Sequence, residues 1–418
     1  MTAAAKNRVL MLLENNPFPQ DARVRPEARA LSRAGLDVTV IAPGRKGQPR
    51  REVVDGVRVY RFPQPSAGRG LLGYLWEYGF SLVATFLLSL VVFFRHGFDV
   101  IHVHNPPDIF VLIAAFYRPL GKRFIFDHHD LAPEMYYERF GGGNRFVHRA
   151  LIFFEKLTCR LADRVIVTNE SYKKMDMQRG GVPEQRITIV RNGPDYQHVV
   201  RVPPDAELRN KAGTILGFVG VIGYQDGLDR LLRALAYLVN DLGRNDVYCV
   251  LIGPGVARDH LMREAHEMGL DDYVWFAGYQ VGEDLCRLLS TADIFVAPDP
   301  ANAYSNQSTM IKIMEYMYLE RPTVAFDLTE HRISAGEAAL YARNNDEQEF
   351  ARLIAQLMDD PSKREEMGRM GRERVETQLA WHHQARKLVG VYQELGMCRA
   401  DESSYAETGQ RDESVEIT

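Results

Sequence analysis

The chain has 418 residues, 46% hydrophobic and 25% charged, the proportions of a water-soluble globular protein with material for two ordinary domains. A net charge of −4 gives no support to wholesale binding of nucleic acid or of an anionic lipid surface. Cys159, Cys249, Cys286 and Cys398 are far apart, with no C-x-x-C or Cys/His ligand spacing, and read as reduced thiols of a cytosolic chain with no zinc site among them.

In chain order, Lys6 and Arg8 precede only "VLMLL" before Glu14, too short an apolar run for a signal peptide and better suited to a first β-strand. Further β-branched runs fall at residues 37–43, 57–62, 99–105, 123–130, 163–169 and 187–193. Amphipathic stretches lie between several of them, such as "PEARALSRAG", where Pro26 suits a first helical turn and Gly35 a helix end. Residues 78–94, "YGFSLVATFLLSLVVFF", carry no charge and lie between two predicted strands. They read as a helix packed on a sheet with a lipid-touching face, at the lower length limit for a bilayer span.

The alternation stops at the polar, Pro-containing residues 201–213, a predicted linker, and restarts with strands at 214–220, 248–255, 273–278, 293–300 and 322–327. Strands that alternate with helices imply parallel sheets with crossover helices, hence an α/β protein of two doubly wound domains, residues 1–200 and 214–375. A helical segment at 376–395 is expected to pack back toward the first domain, and the acidic residues 396–418 to be a disordered tail.

Ligands of such sheets bind beyond the carboxyl ends of the strands. There, "GFVGVIGYQDG" (217–227) allows a tight turn and close approach to phosphate, without the spacing of a dinucleotide fingerprint, so a nicotinamide oxidoreductase is disfavoured. "RFIFDHHDLAPE" ends a strand with Asp127, His128, His129, Asp130 and Glu134. Consecutive strand residues point to opposite faces, so only part of that cluster converges. His102, His104 and Asp108 stand at the neighbouring strand end, and Asp21, Arg23 and Arg25 precede the first helix, where an anionic partner is plausible. "SNQSTMIKIMEYM" (305–317) reads as one short helix with Ser308, Lys312 and Glu315 on a polar face and Met310, Ile313, Met314 and Met317 opposite.

Together, "RNGPD" (191–195), "FVGVIGYQDGLDRLLRAL" (218–235), "LLSTADIFVAPDP" (288–300) and "TMIKIMEYMYLERPTVAFD" (309–327) resemble the family 4 retaining glycosyltransferases, with their GT-B fold of two Rossmann-like domains facing a cleft. The stretch "PFPQDARVRPEARALSRAGLDVTVIAP" looks like the subgroup acting on bacterial surface polysaccharides. The resemblance implies a UDP-sugar donor, no metal or other cofactor, and His129, Asp130 and Gln307 as catalytic residues. Donor contacts would come from Asn192, Gly220, Gly223, Gly227, Ser308, Thr309, Met310, Ile311, Lys312 and Glu315. The family's pair of glutamates with seven residues between them is here Gln307 and Glu315, and its cations in the glycine-rich turn are replaced by Val221 and Asp226. Those departures leave a non-catalytic GT-B subunit as the alternative. Asp21, Arg23, Arg25 and Glu134 are the expected contacts of a glycan or polyprenyl-diphosphate-linked acceptor. The protein is expected in the cytoplasm, peripheral to the inner face of the membrane through residues 71–94.

Overall fold

The structure is a computed structural model that describes residues 7–65, 70–140, 142–193 and 200–397. The chain divides into two compact units: Met1–Tyr137 with Gly143–Asn192 and Trp381–Thr418, and Gly193–Ala380 with the short segment Glu138–Gly142.

The first unit is built on an eight-stranded sheet of β1 (Arg8–Leu12), β2 (Asp37–Gly44), β3 (Arg51–Val54), β4 (Val57–Pro63), β5 (Val100–His104), β6 (Arg123–His128), β7 (Arg164–Val167) and β8 (Ile187–Ile189). The spatial order is β3-β4-β2-β1-β5-β6-β7-β8, parallel except for β3 against β4. β3 escaped the sequence reading, although "VVDGVRV" carries an Asp-Gly hairpin turn in which Asp55 takes a φ of 52°. The central strands are buried on both faces, as their unbroken apolar runs require.

The second unit has six parallel strands, β9 (Thr214–Val219), β10 (Val247–Ile252), β11 (Val274–Gly278), β12 (Ile294–Ala297), β13 (Thr323–Phe326) and β14 (Ala339–Ala342), in the order β11-β10-β9-β12-β13-β14. In each sheet the strand order reverses beside the first strand of the unit, between β1 and β5 and between β9 and β12, which opens a crevice at the strand ends.

Three boundaries differ from the sequence reading. Residues 201–213 are no free linker: the N–H of Val202 donates to Ser290 Oγ (3.0 Å) and that of Asp205 to Thr291 Oγ1 (2.7 Å), which ties the segment to the second unit. The chain rejoins the first unit at Trp381 rather than at 376, because Leu388, Val389, Val391 and Tyr392 of the helix Trp381–Glu394 enter that unit's core. Met397 is packed in the same core, and residues 398–418 lie outside the described residues, as do Pro194 and Asp195 of "RNGPD".

The helix Gly70–Arg95 covers one face of the first sheet, and its residues Trp76–Arg95 are long and apolar enough to cross a membrane by length and composition. Its polarity is reversed from that of an ordinary surface helix. Ser81, Thr85 and Ser89 are buried with Val92, Ser81 donating to Glu14 Oε1 (3.0 Å) and Ser89 sharing a hydrogen bond with Tyr117 Oη (3.0 Å). Trp76, Val83, Leu87 and Phe94 face outward, Phe94 at 81% exposure.

Candidate functional site

In the first unit, β5 and β6 run side by side with His104 level with Asp127. Strand alternation sends His102, His104 and Asp127 to one face and His128 to the other. His129, one residue past β6, returns to the first face. His102 Nε2 is 3.1 Å and His104 Nδ1 3.3 Å from Asp127 Oδ2, and His129 Nε2 lies 3.3 Å from both Asp127 Oδ1 and His104 Nδ1. Glu27, from the helix Val24–Arg33, closes the group with Oε2 3.8 Å from His104 Nδ1 and Oε1 3.8 Å from His129 Nε2. All five side chains are buried. Burial and the neighbouring Asp127 charge raise the Glu27 pKa well above the usual carboxylic range, and burial pushes His104 down to about 3. Glu27, His102, His104 and Asp127 offer ligand atoms within 4.8 Å of one another, the group among the described residues with the composition of a metal site.

Asn105 fastens the loops above this cluster. Its Oδ1 accepts from the N–H groups of His129 (2.6 Å) and Asp130 (3.1 Å), and its Nδ2 donates to Asp130 O (2.7 Å). Asp21 accepts from the N–H groups of Arg23 and Val24 (2.9 Å each) and so caps the first helix. Burial opposes its charge, but Arg23 and these donors hold the carboxyl well below the ordinary range. Arg23 spans Asp21 (3.1 Å) and Asp130 (3.3 Å), so the two predicted acceptor residues Asp21 and Arg23 join the catalytic candidates His129 and Asp130.

Arg25 and Glu134 do not join them. Arg25 pairs with Asp55 (3.3 Å) and Glu134 with Arg179, each charge neutralised by a residue far along the chain. Glu134 belongs to a separate network on the opposite face, where Arg179 also holds Glu155 and His128 Nδ1 meets Asp176 Oδ1 at 2.8 Å. Asn192 ends the first unit and is half-buried there.

In the second unit, the glycine-rich turn after β9 is spent on close packing. The N–H groups of Gly220, Ile222 and Gly223 donate to Ile252 O, Pro254 O and Asp226 Oδ2 (3.0, 2.8 and 3.0 Å). A Cβ on Gly253 would lie 1.8 Å from Gly220 O, and one on Gly227, whose φ is +72°, 2.0 Å from Pro298 O. The amides of Gly220 and Gly223 are thus occupied within the protein, which leaves the close approach of their backbone as the contact these glycines offer a donor, and Asp226 closes the turn.

Residues 305–317 are likewise not one helix. Ser305–Gln307 form a 3-10 turn, Ser308 and Met310 are extended, and the α-helix runs Ile311–Tyr318. Gln307 Nε2 donates to Ala303 O and Ser308 Oγ to Tyr304 O (2.9 Å each), so Ser308 is turned inward rather than along an outward polar face. Thr309 Oγ1 meets Glu330 at 3.4 Å. Met310 and Ile311 present the helix start, with Lys312 Nζ 2.7 Å from Asp299 Oδ1 and 4.8 Å above the Phe218 ring. His331 Nε2 lies 3.7 Å from the other Asp299 oxygen. Tyr316 stacks on Phe295 (4.0 Å, 1°) and accepts from the N–H of Val219 (3.1 Å), which locks the helix against β9 and β12.

Glu315 is half-buried on this helix, and burial raises its pKa from 4.5 to about 7. A carboxyl with a raised folded pKa favours folding while protonated, and that advantage is lost as pH rises toward and through about 7. Glu315→Gln is thus expected to raise stability at pH 8 by on the order of 2 kcal/mol and to leave it unchanged near pH 4. Urea titrations at the two pH values check this, and equal stabilities at pH 8 would contradict it.

A family model described as Glycosyltransferase Family 4 matches residues 23–198, and one described as Glycosyl transferases group 1 matches residues 213–360. The 2-deoxystreptamine glucosyltransferase of Streptomyces kanamyceticus is 23% identical over 384 residues, 88% of this chain and 97% of its own. Among solved structures, sucrose-phosphate synthase from Thermosynechococcus elongatus matches with a TM-score of 0.76 at 18% identity, over 94% of this chain and 99% of that one. Anabaena HepE in complex with UDP-glucose matches with a TM-score of 0.68 at 16% identity, over 92% and 99%.

Proposed function

The chain belongs to glycosyltransferase family 4, has the GT-B architecture of two Rossmann-like units and is an enzyme that transfers sugars; from that premise we propose a retaining hexosyl transfer from a UDP-sugar to a hydroxyl of a glycan or polyprenyl-diphosphate-linked saccharide, in bacterial exopolysaccharide, capsule or O-antigen synthesis. The start of the helix Ile311–Tyr318 carries this reading. It lies at the carboxyl end of β12, beside the strand-order reversal, where amides without a preceding helical turn and the positive dipole end favour a diphosphate. Lys312 adds the cation that Val221 and Asp226 do not supply, and Glu315, one turn on, suits the ribose hydroxyls. The HepE complex with UDP-glucose supports a uridine nucleotide in a protein of this fold.

In the transfer, the bond from the anomeric carbon to the diphosphate oxygen breaks, and the acceptor oxygen bonds to that carbon on the same face. The acceptor's proton passes to the departing diphosphate. Stabilising that leaving group is the main electrostatic task, met by the helix start and Lys312 with no metal or other cofactor at the donor. His129, whose Nε2 is fixed between Asp127 and His104, orients the sugar, with Asp130 and Gln307 as further contacts. Incubation with a UDP-sugar panel and polyprenyl-linked acceptors, read by NMR, should give a product with the donor's anomeric configuration. An inverted product would refute the mechanism.

The reversed polarity of the helix Gly70–Arg95 supports a cytoplasmic enzyme seated on the inner membrane surface. On the same side of the sheet, Phe86 meets Phe116 edge-on at 5.0 Å, and the helix Arg145–Leu161 exposes Phe146 and Phe153 among Arg145, Arg149, Lys156 and Arg160. Exposed aromatics with flanking cations fit an anionic bilayer. The double variant Val83→Asp/Leu87→Asp is expected to reduce co-flotation with anionic phospholipid vesicles at least tenfold at unchanged Tm. Undiminished flotation would remove the membrane assignment.

A further inference from the structure

We propose that Glu27, His102, His104 and Asp127 bind one divalent first-row transition metal ion, Zn2+ in the first instance, inside the first unit. Their ligand atoms all lie within 4.8 Å of one another, close enough for one ion to reach all four. His102 Nε2, His104 Nδ1 and Glu27 Oε2 are arranged around Asp127 Oδ2 and one another at 3.1, 3.3 and 3.8 Å. Ligands held at about 2.0–2.2 Å around tetrahedral zinc stand roughly 3.4 Å apart. Hydrogen bonds between nitrogen and oxygen close to about 2.7–3.2 Å. The contact between His102 and Asp127 is a hydrogen bond in the absence of an ion, and the wider ones match the separation of metal ligands.

Two further observations point to a cation. Glu27 Oε2 is buried without a hydrogen-bond partner and lies within reach of the cluster, as does Asp127 Oδ1. Two buried carboxylates share this space, and the nearby cation, Arg23, is engaged by Asp21 and Asp130. A divalent ion would displace the proton on Glu27 and bind both carboxyl groups. The second observation is Tyr392, from the helix that returns to this unit, whose Oη lies 2.8 Å from His102 Nδ1. In the metal-bound form Nδ1–H would donate to that oxygen and leave the Nε2 lone pair facing the site, as supporting partners of metal-bound histidines do.

The ion joins the first helix to β5 and β6, and through Asp127 it sets the position of His129. It makes no contact with the donor diphosphate in this proposal, which rests on the transfer reading only through His129, and its test is read from metal binding rather than from turnover.

The test uses the full-length protein, stripped with a chelator and reloaded with Zn2+ or Co2+. Elemental analysis after desalting should find one Zn2+ per chain, Zn2+ should raise the Tm, and the Co2+ form should show visible ligand-field absorption. His104→Ala should abolish retention. Glu27→Gln and Tyr392→Phe, which preserve shape, should weaken Zn2+ binding at least tenfold, about the effect of losing a supporting partner. His382→Ala/His383→Ala, at a half-buried vicinal pair outside the cluster, should leave it unchanged. A wild-type protein that retains no zinc and gives a silent Co2+ spectrum overturns the proposal, as does zinc retention undiminished in Glu27→Gln and Tyr392→Phe.

Discussion

Lys312→Ala is expected to lower kcat/KM for sugar transfer by about 10²–10³-fold, the usual effect of deleting one preorganised group that stabilises developing negative charge. Lys312 stands at the start of the helix Ile311–Tyr318, its side chain only 12% exposed, held by Asp299 and seated on Phe218. The glycine-rich turn offers no cation to share the load, since Val221 is apolar and Asp226 is turned into the loop to accept from Gly223. Loss of Lys312 also leaves Asp299 buried beside His331, so the variant's folding has to be checked by Tm. Lys312→Arg should recover part of the rate by restoring charge without the same reach. A folded Lys312→Ala enzyme within threefold of wild type would place the diphosphate elsewhere.

His128→Ala is expected to destabilise the protein by about 3–5 kcal/mol at neutral pH, the effect of breaking one side of a buried ion pair. Burial works against the charged imidazole, but the Asp176 carboxylate 2.8 Å away, with Glu155 and Asp108 behind it, outweighs burial and raises the pKa from 6.5 to about 9. The raised folded pKa means that this stabilisation is fully present below about pH 6.5 and is lost as pH rises through about 9. The groups facing the pair are Glu155, Asp108, Cys159 and Arg179. Denaturation at pH 7 and pH 9.5 should therefore show a wild-type advantage over His128→Ala that shrinks on alkalinisation. A pH-independent difference would mean that the imidazole is neutral and its role is packing.

Much of the fold was legible because its determinants are local. Apolar runs such as "VIHVH" and "RFIFDH" mark strands buried on both faces, and alternation along "DHHD" separates Asp127 and His129 from His128. Features set by distant partners were not legible. Glu27 looks like an ordinary acidic residue in a helix's first turn, and only the pairing of β1 with β5 and β5 with β6 brings that turn to His104 and Asp127. Glu134 and Arg25 looked available for a ligand until Arg179 and Asp55 claimed them. The break at Ser308–Met310 follows from hydrogen bonds to Tyr304 and Glu330 that override a helical pattern of apolar residues. The short β14 has only four residues, too few for a periodic signal.

In the proposed reaction the second unit holds the nucleotide-sugar at the helix Ile311–Tyr318. A thermal-shift panel of uridine, guanosine and adenosine diphosphates and their sugars, run on the wild type and on Glu315→Ala, tests it most directly. Uridine nucleotides should raise the Tm of the wild type, and the rise should be lost in Glu315→Ala. No shift with any nucleotide, or a shift that survives the substitution intact, would contradict it.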